Sequence, residues 1–212
     1  MGFYPVTLDL SGKVCLVVGG GQVAERKVRS LLACDAVVRL VSPDLTPILR
    51  DLADGNKVCY KPDRYQISDL DDVFIVICAT GDSEINKRVA ADCAARNLPV
   101  NLVDQPESCS FFVPSVLRRG DLTVAVSTGG KSPLLARKLR ESMEQSYGEQ
   151  YGEFLELLSQ FRRIVLRDIK DQDLKRDILE DMVSADILAL VRDNRMERIK
   201  ERLNSAYLNS GA

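Results

Sequence analysis

KVCLVVGGGQVAERK, residues 13–27, is the stretch that decides the fold. Residues 13–18 are a short apolar run of the kind that makes a buried strand, and the run stops at once on three glycines. From Gln22 to Ala33 the residues Val23, Val28, Leu31 and Leu32 recur at roughly helical spacing. A strand, a glycine turn and a helix form the context in which Gly-x-Gly-x-x-Ala predicts a dinucleotide fingerprint. Gly19 permits the tight turn, Gly21 lets a pyrophosphate approach the backbone, and Ala24 lets the helix pack closely on the strand. The helix N-terminus then faces the phosphates. A plain tight turn is the competing reading of the same glycines.

Outward from that turn the pattern continues. Val37 to Val41 reads as a second strand closed by Ser42 and Pro43, Thr46 to Leu52 as a short helix, and Val58 to Tyr60 as a short strand. Residues 72–79 are the most apolar run and end in Thr80-Gly81-Asp82; a helix over 83–96 and a strand over 98–103 follow, the latter stopping at Asp104. Strands alternating with helices predict parallel pairing with right-handed crossovers, a Rossmann-type doubly wound α/β sheet. After Pro114 the texture changes to one more strand, Leu122 to Ser127, then a helix from Pro133 to Tyr147 with Ser132 as N-cap and Pro133 in the first position. Residues 147–152 read as a boundary, and beyond them apolar stripes such as Phe154, Leu157, Leu158 and Phe161 predict helices only. The expected division is a dinucleotide-binding domain over 1–113, a small α+β segment over 114–148 and a helical domain over 149–212.

Composition narrows the function. The 212 residues carry 29 Lys plus Arg against 31 Asp plus Glu and no histidine. A near-neutral chain is a poor nucleic-acid binder. Without imidazole, a histidine base and His-ligated metals are excluded, and the scattered cysteines offer no metal cluster. Those six cysteines form no CxxC pair and predict reduced thiols in a cytoplasm. The longest apolar runs fall far below the roughly 20 residues of a membrane span, and the N-terminus lacks a signal core.

The chemistry-bearing residues gather at predicted strand ends. The fingerprint's acidic residue is due at the end of the second strand, where Ser42, Pro43 and then Asp44 stand; no arginine cluster follows there, so NAD is expected over NADP. Thr80, at the end of the apolar run, is counted with Gly19, Gly21, Gln22, Val23, Ser42, Pro43 and Asp44 as cofactor-binding. Asp104 ends a central strand, where open sheets bind ligands, and is the candidate general base; a turn-former is the alternative. Thr128, Gly129, Lys131 and Ser132 offer backbone N–H groups, hydroxyls and an ammonium at a helix start, an expected anion site. Arg137, Lys138 and Arg140 make the following helix basic and half apolar.

These motifs together resemble the siroheme synthase N-terminal module, the precorrin-2 dehydrogenase family. The resemblance rests on Tyr4-Pro5-Val6, on residues 18–27, on residues 101–104 with Pro106, Cys109, Phe111 and Pro114, and on residues 127–133. It runs from about residue 3 to 145 and is closer to the stand-alone form, since no methyltransferase sequence follows. It implies NAD-dependent oxidation of precorrin-2 to sirohydrochlorin, with iron insertion by some members. Asp104 matches the family's catalytic aspartate, Thr128 a tetrapyrrole-site position that is serine in some members, and Gln22, Val23, Pro43 and Asp44 match NAD-contacting positions. The middle segment of such proteins forms an intertwined homodimer. A polycarboxylate substrate suits Lys131 and the basic helix. A non-enzymatic NAD-binding regulator needs only the Gly19 turn and stays open beside this reading; a dehydrogenase of a small hydroxy acid lacks its usual acid–base partner.

Overall fold

The computed structural model describes residues 2–103 and 105–208. The chain divides into two compact units, Met1–Val113 and Pro114–Ala212. In the first, β1 (Val14–Val18), β2 (Val37–Val41), β3 (Cys59–Lys61), β4 (Ile75–Cys78) and β5 (Val100–Leu102) form one sheet in the order β3-β2-β1-β4-β5. Every pairing in it is parallel. The crossovers carry α1 (Gln22–Leu32), α2 (Pro47–Asp54) and α3 (Ser83–Ala95). Strands β1 to β3 wind to one side of β1, and the chain then returns to wind β4 and β5 on the other. That reversal makes a crevice at the carboxyl ends of β1 and β4.

Helices on both faces explain why β1 and β4 are apolar throughout rather than alternating. Cys15, Val17, Ile75 and Ile77 pack with Ala24, Val28 and Leu31 of α1 and with Leu49 of α2. Leu16, Val18, Val76 and Cys78 point the other way, onto Val89 and Cys93 of α3. Leu16 is fully buried. Cutting it to alanine is of the class that costs about 2–5 kcal/mol. The apolar run over 72–79 is longer than its strand, because Asp72 takes a left-handed φ of 60° and the ladder is entered only at Ile75.

The second unit begins with a hairpin, β6 (Ser115–Arg119) and β7 (Leu122–Val126), whose strands pair antiparallel. The strand read at Leu122 thus belongs to a sheet of its own, and β6 is a strand the sequence pattern had not separated from its surroundings. Helices α4 (Pro133–Ser146), α5 (Gln150–Asp168), α6 (Gln172–Asp181), α7 (Ala185–Arg192) and α8 (Met196–Leu208) follow. Phe154, Val165, Met182, Ile187, Ile199 and Leu203 form their core. The helix α5 starts inside the stretch read as a boundary. There a Cβ on Gly152 would stand 2.8 Å from Arg119 O, so glycine lets the helix and the hairpin backbone touch. The apolar residues from Ile187 onward fall on two helices, parted where Asn194 turns left-handed at φ 55°. Among the described residues no helix is long and apolar enough to cross a membrane.

Candidate functional site

A cleft of about 610 Å³ opens at the carboxyl ends of β1, β2 and β4. Its volume lies within the roughly 300–1,000 Å³ typical of cofactor sites. Four pieces of chain line it: the glycine turn, the segment from Ser42 to Thr46, the turn from Ala79 to Asp82, and residues 63–65. Of the residues singled out in the sequence, Gly19, Gly21, Ser42, Pro43, Asp44 and Thr80 meet here. Gln22 and Val23 open α1 beside the turn but are not part of the cleft lining.

Each glycine of the turn has its own reason. Gly19 takes φ 117°, and a Cβ there would sit 2.5 Å from Ala79 O at the end of β4. Gly20, to which the fingerprint gives no role, is the tightest of the three. Its Cβ would meet Asp44 O at 1.8 Å, and its carbonyl accepts Thr46 N at 2.9 Å. Gly21 has an ordinary φ of −85°, and a Cβ there would meet nothing within 4 Å. Its side-chain space is open to whatever occupies the cleft.

Three α-helices begin at this edge, and among the described residues α1 alone of them is left without a side-chain cap. Thr46 accepts Leu49 N with its hydroxyl at the start of α2, and the Asp82 carboxylate accepts Glu84 N and Ile85 N at the start of α3. At α1 the N-cap is Gly21, and no side chain closes the helix. The first N–H groups of a helix with the positive end of its dipole form a ready anion site. A dinucleotide pyrophosphate fits such a site, and Gly21 leaves the room it needs.

The wall beyond β2 is tied down by its own hydrogen bonds. The Ser42 hydroxyl donates to Asp44 O at 2.8 Å, and Tyr60 donates its phenol proton to Ser42 O at 3.0 Å. Thr46 donates to Glu25 Oε2 of α1 at 2.8 Å, locking this wall to the helix that carries the glycine turn. Asp44 keeps its side chain exposed while its carbonyl supports the turn. Residues 63–65 escaped the sequence reading because the sheet brings them in from beyond β3. A clasp on Asp69 holds them: its carboxylate accepts Lys61 Nζ at 2.9 Å and Gln66 N at 2.8 Å. Tyr65 donates to Asp92 at 3.0 Å, and burial, with that bond, raises its pKa. Arg64 stays exposed in the lining, a cation beside the Ser42–Asp44 wall that no local motif announced.

The residues expected to bind an anion in the second unit are arranged differently from the expectation. Gly129 N donates to Ser127 Oγ, Lys131 N to Thr128 O and Ser132 N to Thr128 Oγ1. Leu135 N closes on Ser132 Oγ. The loop therefore satisfies most of its own N–H groups. It offers the exposed Lys131 ammonium and the hydroxyl protons of Thr128 and Ser132 more than a cradle of backbone N–H groups. The basic helix is likewise half neutralised: Arg137 pairs with Glu141 at 2.7 Å, and Arg140 pairs with Glu144 and Glu141. Asp104, the expected base, lies outside the described residues.

Comparison with known proteins follows the same two parts. Residues 6–115 match a family model described as "Putative NAD(P)-binding", and residues 119–146 match one described as "Sirohaem biosynthesis protein central". A siroheme synthase of Thioalkalivibrio sulfidiphilus is 40% identical over 206 residues, covering 97% of this chain and 42% of that protein. One from Chromobacterium violaceum is 36% identical over 212 residues, 100% of this chain and 45% of the other. The chain thus spans somewhat under half the length of these curated relatives. A solved precorrin-2 dehydrogenase is similar in structure, with a TM-score of 0.75 at 26% identity, covering 94% of this chain and 100% of that one.

Proposed function

Because the chain belongs to the NAD(P)-binding family that matches more than half of it, with the sirohaem central segment following, we propose that it oxidises precorrin-2 to sirohydrochlorin with NAD. One observation carries this reading: among the described α-helices that start at the sheet's carboxyl edge, α1 alone lacks a side-chain cap, and it stands over an open glycine beside a cleft of cofactor size. Bound NAD supplies the hydride acceptor. The chain's own residues do the rest. Gly21 and the N–H groups of Gln22 and Val23 hold the pyrophosphate. Gly19 keeps the turn low against Ala79, and Ser42, Pro43 and Asp44 hold the adenosine ribose, with Thr80 under the other half.

The reaction removes one hydride and one proton from the substrate. The Asp104 carboxylate takes the proton, the role that the sequence reading and the family resemblance give it. Lys131, with Thr128, Gly129 and Ser132, holds substrate carboxylates; charge attraction in such a loop does not need a backbone cradle. Helix α4 leaves Leu134 64% exposed, with Leu135 and Leu139 beside it, an apolar face suited to a second copy of the chain. The protein then works as a homodimer, and light scattering at twice the chain mass tests it.

The decisive experiment mixes protein, NAD and precorrin-2 without oxygen and follows NADH formation with the absorbance of sirohydrochlorin. Equal rates of the two signals support the proposal. Tight NADH binding with no turnover refutes it in favour of a non-enzymatic NAD-binding regulator.

A further inference from the structure

We propose that Asn86 is a positioning residue for the nicotinamide half of the cofactor, acting through the turn from Ala79 to Asp82. The inference rests on the dinucleotide reading of the cleft. Asn86 sits in the first turns of α3, only 4% exposed, and both ends of its amide are hydrogen-bonded. Its Oδ1 accepts the Thr80 hydroxyl proton at 2.7 Å and the Cys78 thiol at 3.1 Å. Its Nδ2 donates to Thr80 O at 3.3 Å. The orientation of the amide follows from its neighbours: Thr80 O can only accept, while the hydroxyl and the thiol have protons to give. The Thr80 oxygen in turn accepts Asp82 N at 3.2 Å, which shapes the turn. From the opposite side the turn is stopped by Gly19, whose absent Cβ leaves just enough room for Ala79 O.

This arrangement changes what Thr80 can do. Its hydroxyl proton is committed inward, so it is not a free donor to a ligand. What the turn offers the cleft is its shape. In a sheet of this winding the pyrophosphate lies at the N-terminus of α1 and the adenosine lies over the end of β2. The remaining half of the molecule extends over the end of β4, where Thr80 and Gly81 line the cleft. No other side chain can replace Asn86 cheaply. Aspartate cannot donate to Thr80 O, and leucine removes all three hydrogen bonds to the turn and to Cys78.

The test compares two ligands on two variants. Asn86→Asp and Thr80→Val are measured by calorimetry against NAD and against ADP, which carries the adenosine and pyrophosphate but nothing beyond. The expected result is a loss of about tenfold in NAD affinity in each variant, the scale of one hydrogen bond, with ADP affinity within about twofold. The double variant should lose little more than either single one, because both act through one turn. Parallel losses for NAD and ADP that track a fall in melting temperature would show a purely structural role and overturn the inference. So would unchanged NAD affinity in Thr80→Val, which tests the turn even if Asn86→Asp folds poorly. A wild-type chain that binds neither ligand overturns the cofactor reading itself; one that binds both, with variants unaffected, overturns only the role of Asn86.

Discussion

Gly21→Asp should abolish tight NAD binding while leaving the fold intact or slightly firmer. The backbone at Gly21 (φ −85°, ψ −175°) is extended and open to any residue, and a new Cβ meets nothing within 4 Å. Aspartate is moreover a better N-cap than glycine by a few tenths of a kcal/mol. The melting temperature should therefore hold or rise. Binding should move the other way. The added carboxylate would bond the N–H groups that a pyrophosphate needs and stand about 5 Å from its charges. Each like-charge pair at that distance costs roughly 0.8 kcal/mol in water and about 3 kcal/mol at an effective dielectric of 20. Two phosphate charges then give about 1.6–6 kcal/mol, at least about a fifteen-fold loss of affinity. Calorimetric titration with NAD, beside thermal melts of the same preparation, measures both effects. Gly21→Asn separates charge from bulk, and its loss should be the smaller. Gly20→Ala is the opposite control: a Cβ 1.8 Å from Asp44 O must push the turn apart, so this variant should melt early. If Gly21→Asp gains stability and binds NAD within twofold of the wild type, the uncapped helix is not the phosphate site and the argument fails.

Other outcomes follow from the same chemistry. Asp104→Asn should lower kcat by about 10²–10⁴-fold with an unchanged melt, since an amide cannot take a proton at neutral pH; near-full turnover assigns the proton to another acceptor. Lys131→Glu should raise the KM for the tetrapyrrole without altering NAD affinity, and added salt should weaken substrate binding to the wild type. Equal loss of both ligands would instead indicate a folding defect. Burial pushes the Cys15 and Cys93 thiols up to about 11 and Cys78 up to about 12, while Cys59 is exposed. At pH 8 a thiol reagent should thus label Cys59 first and reach the other three only on unfolding, as peptide mapping would show. Labelling of Cys78 as fast as Cys59 would contradict the packing of β4 against α3.

What could be read in the sequence was what is local. The strand and turn of residues 13–21, the helix after them and the N-cap at Ser132 are set by neighbours a few residues away, and they stand where the pattern put them. Strand β6 was missed because Val116-Leu117-Arg118-Arg119 shows too short an apolar run. Its partner across Gly120-Asp121 makes it a strand, and a glycine at φ 55° in a two-residue connection was the available signal. The basic helix shows a similar dependence on context. Glu141 and Glu144 stand one helical turn beyond Arg137 and Arg140 and pair with them.

The site divides along the same line, with one difference that bears on its chemistry. Gly19, Gly21 and the Ser42–Asp44 corner were legible because each lies at a strand end that its own sequence defines. Arg64 and Tyr65 were not, because three strands had to be laid side by side before they reached the cleft, and Asn86 stands behind its wall, bonded to Thr80. A parallel sheet sends every strand's carboxyl end, and hence every following helix's N-terminus, to one edge. Ionic attraction to an anion would therefore exist at α1, α2 and α3 alike if the backbone alone decided it. Side chains decide it instead. Thr46 closes α2 and Asp82 closes α3, the latter with a negative charge, so an anion drifting over this edge finds one helix open and another repelling it. On the proposed reading, two caps and one missing cap specify where a pyrophosphate would lie and which way the cofactor would run. Moving the cap, by adding aspartate at Gly21 while Asp82→Gly opens α3, should not transplant the site. The Ser42–Asp44 wall is bonded to α1 through Thr46 and Glu25, and opening α3 would leave that wall where it is.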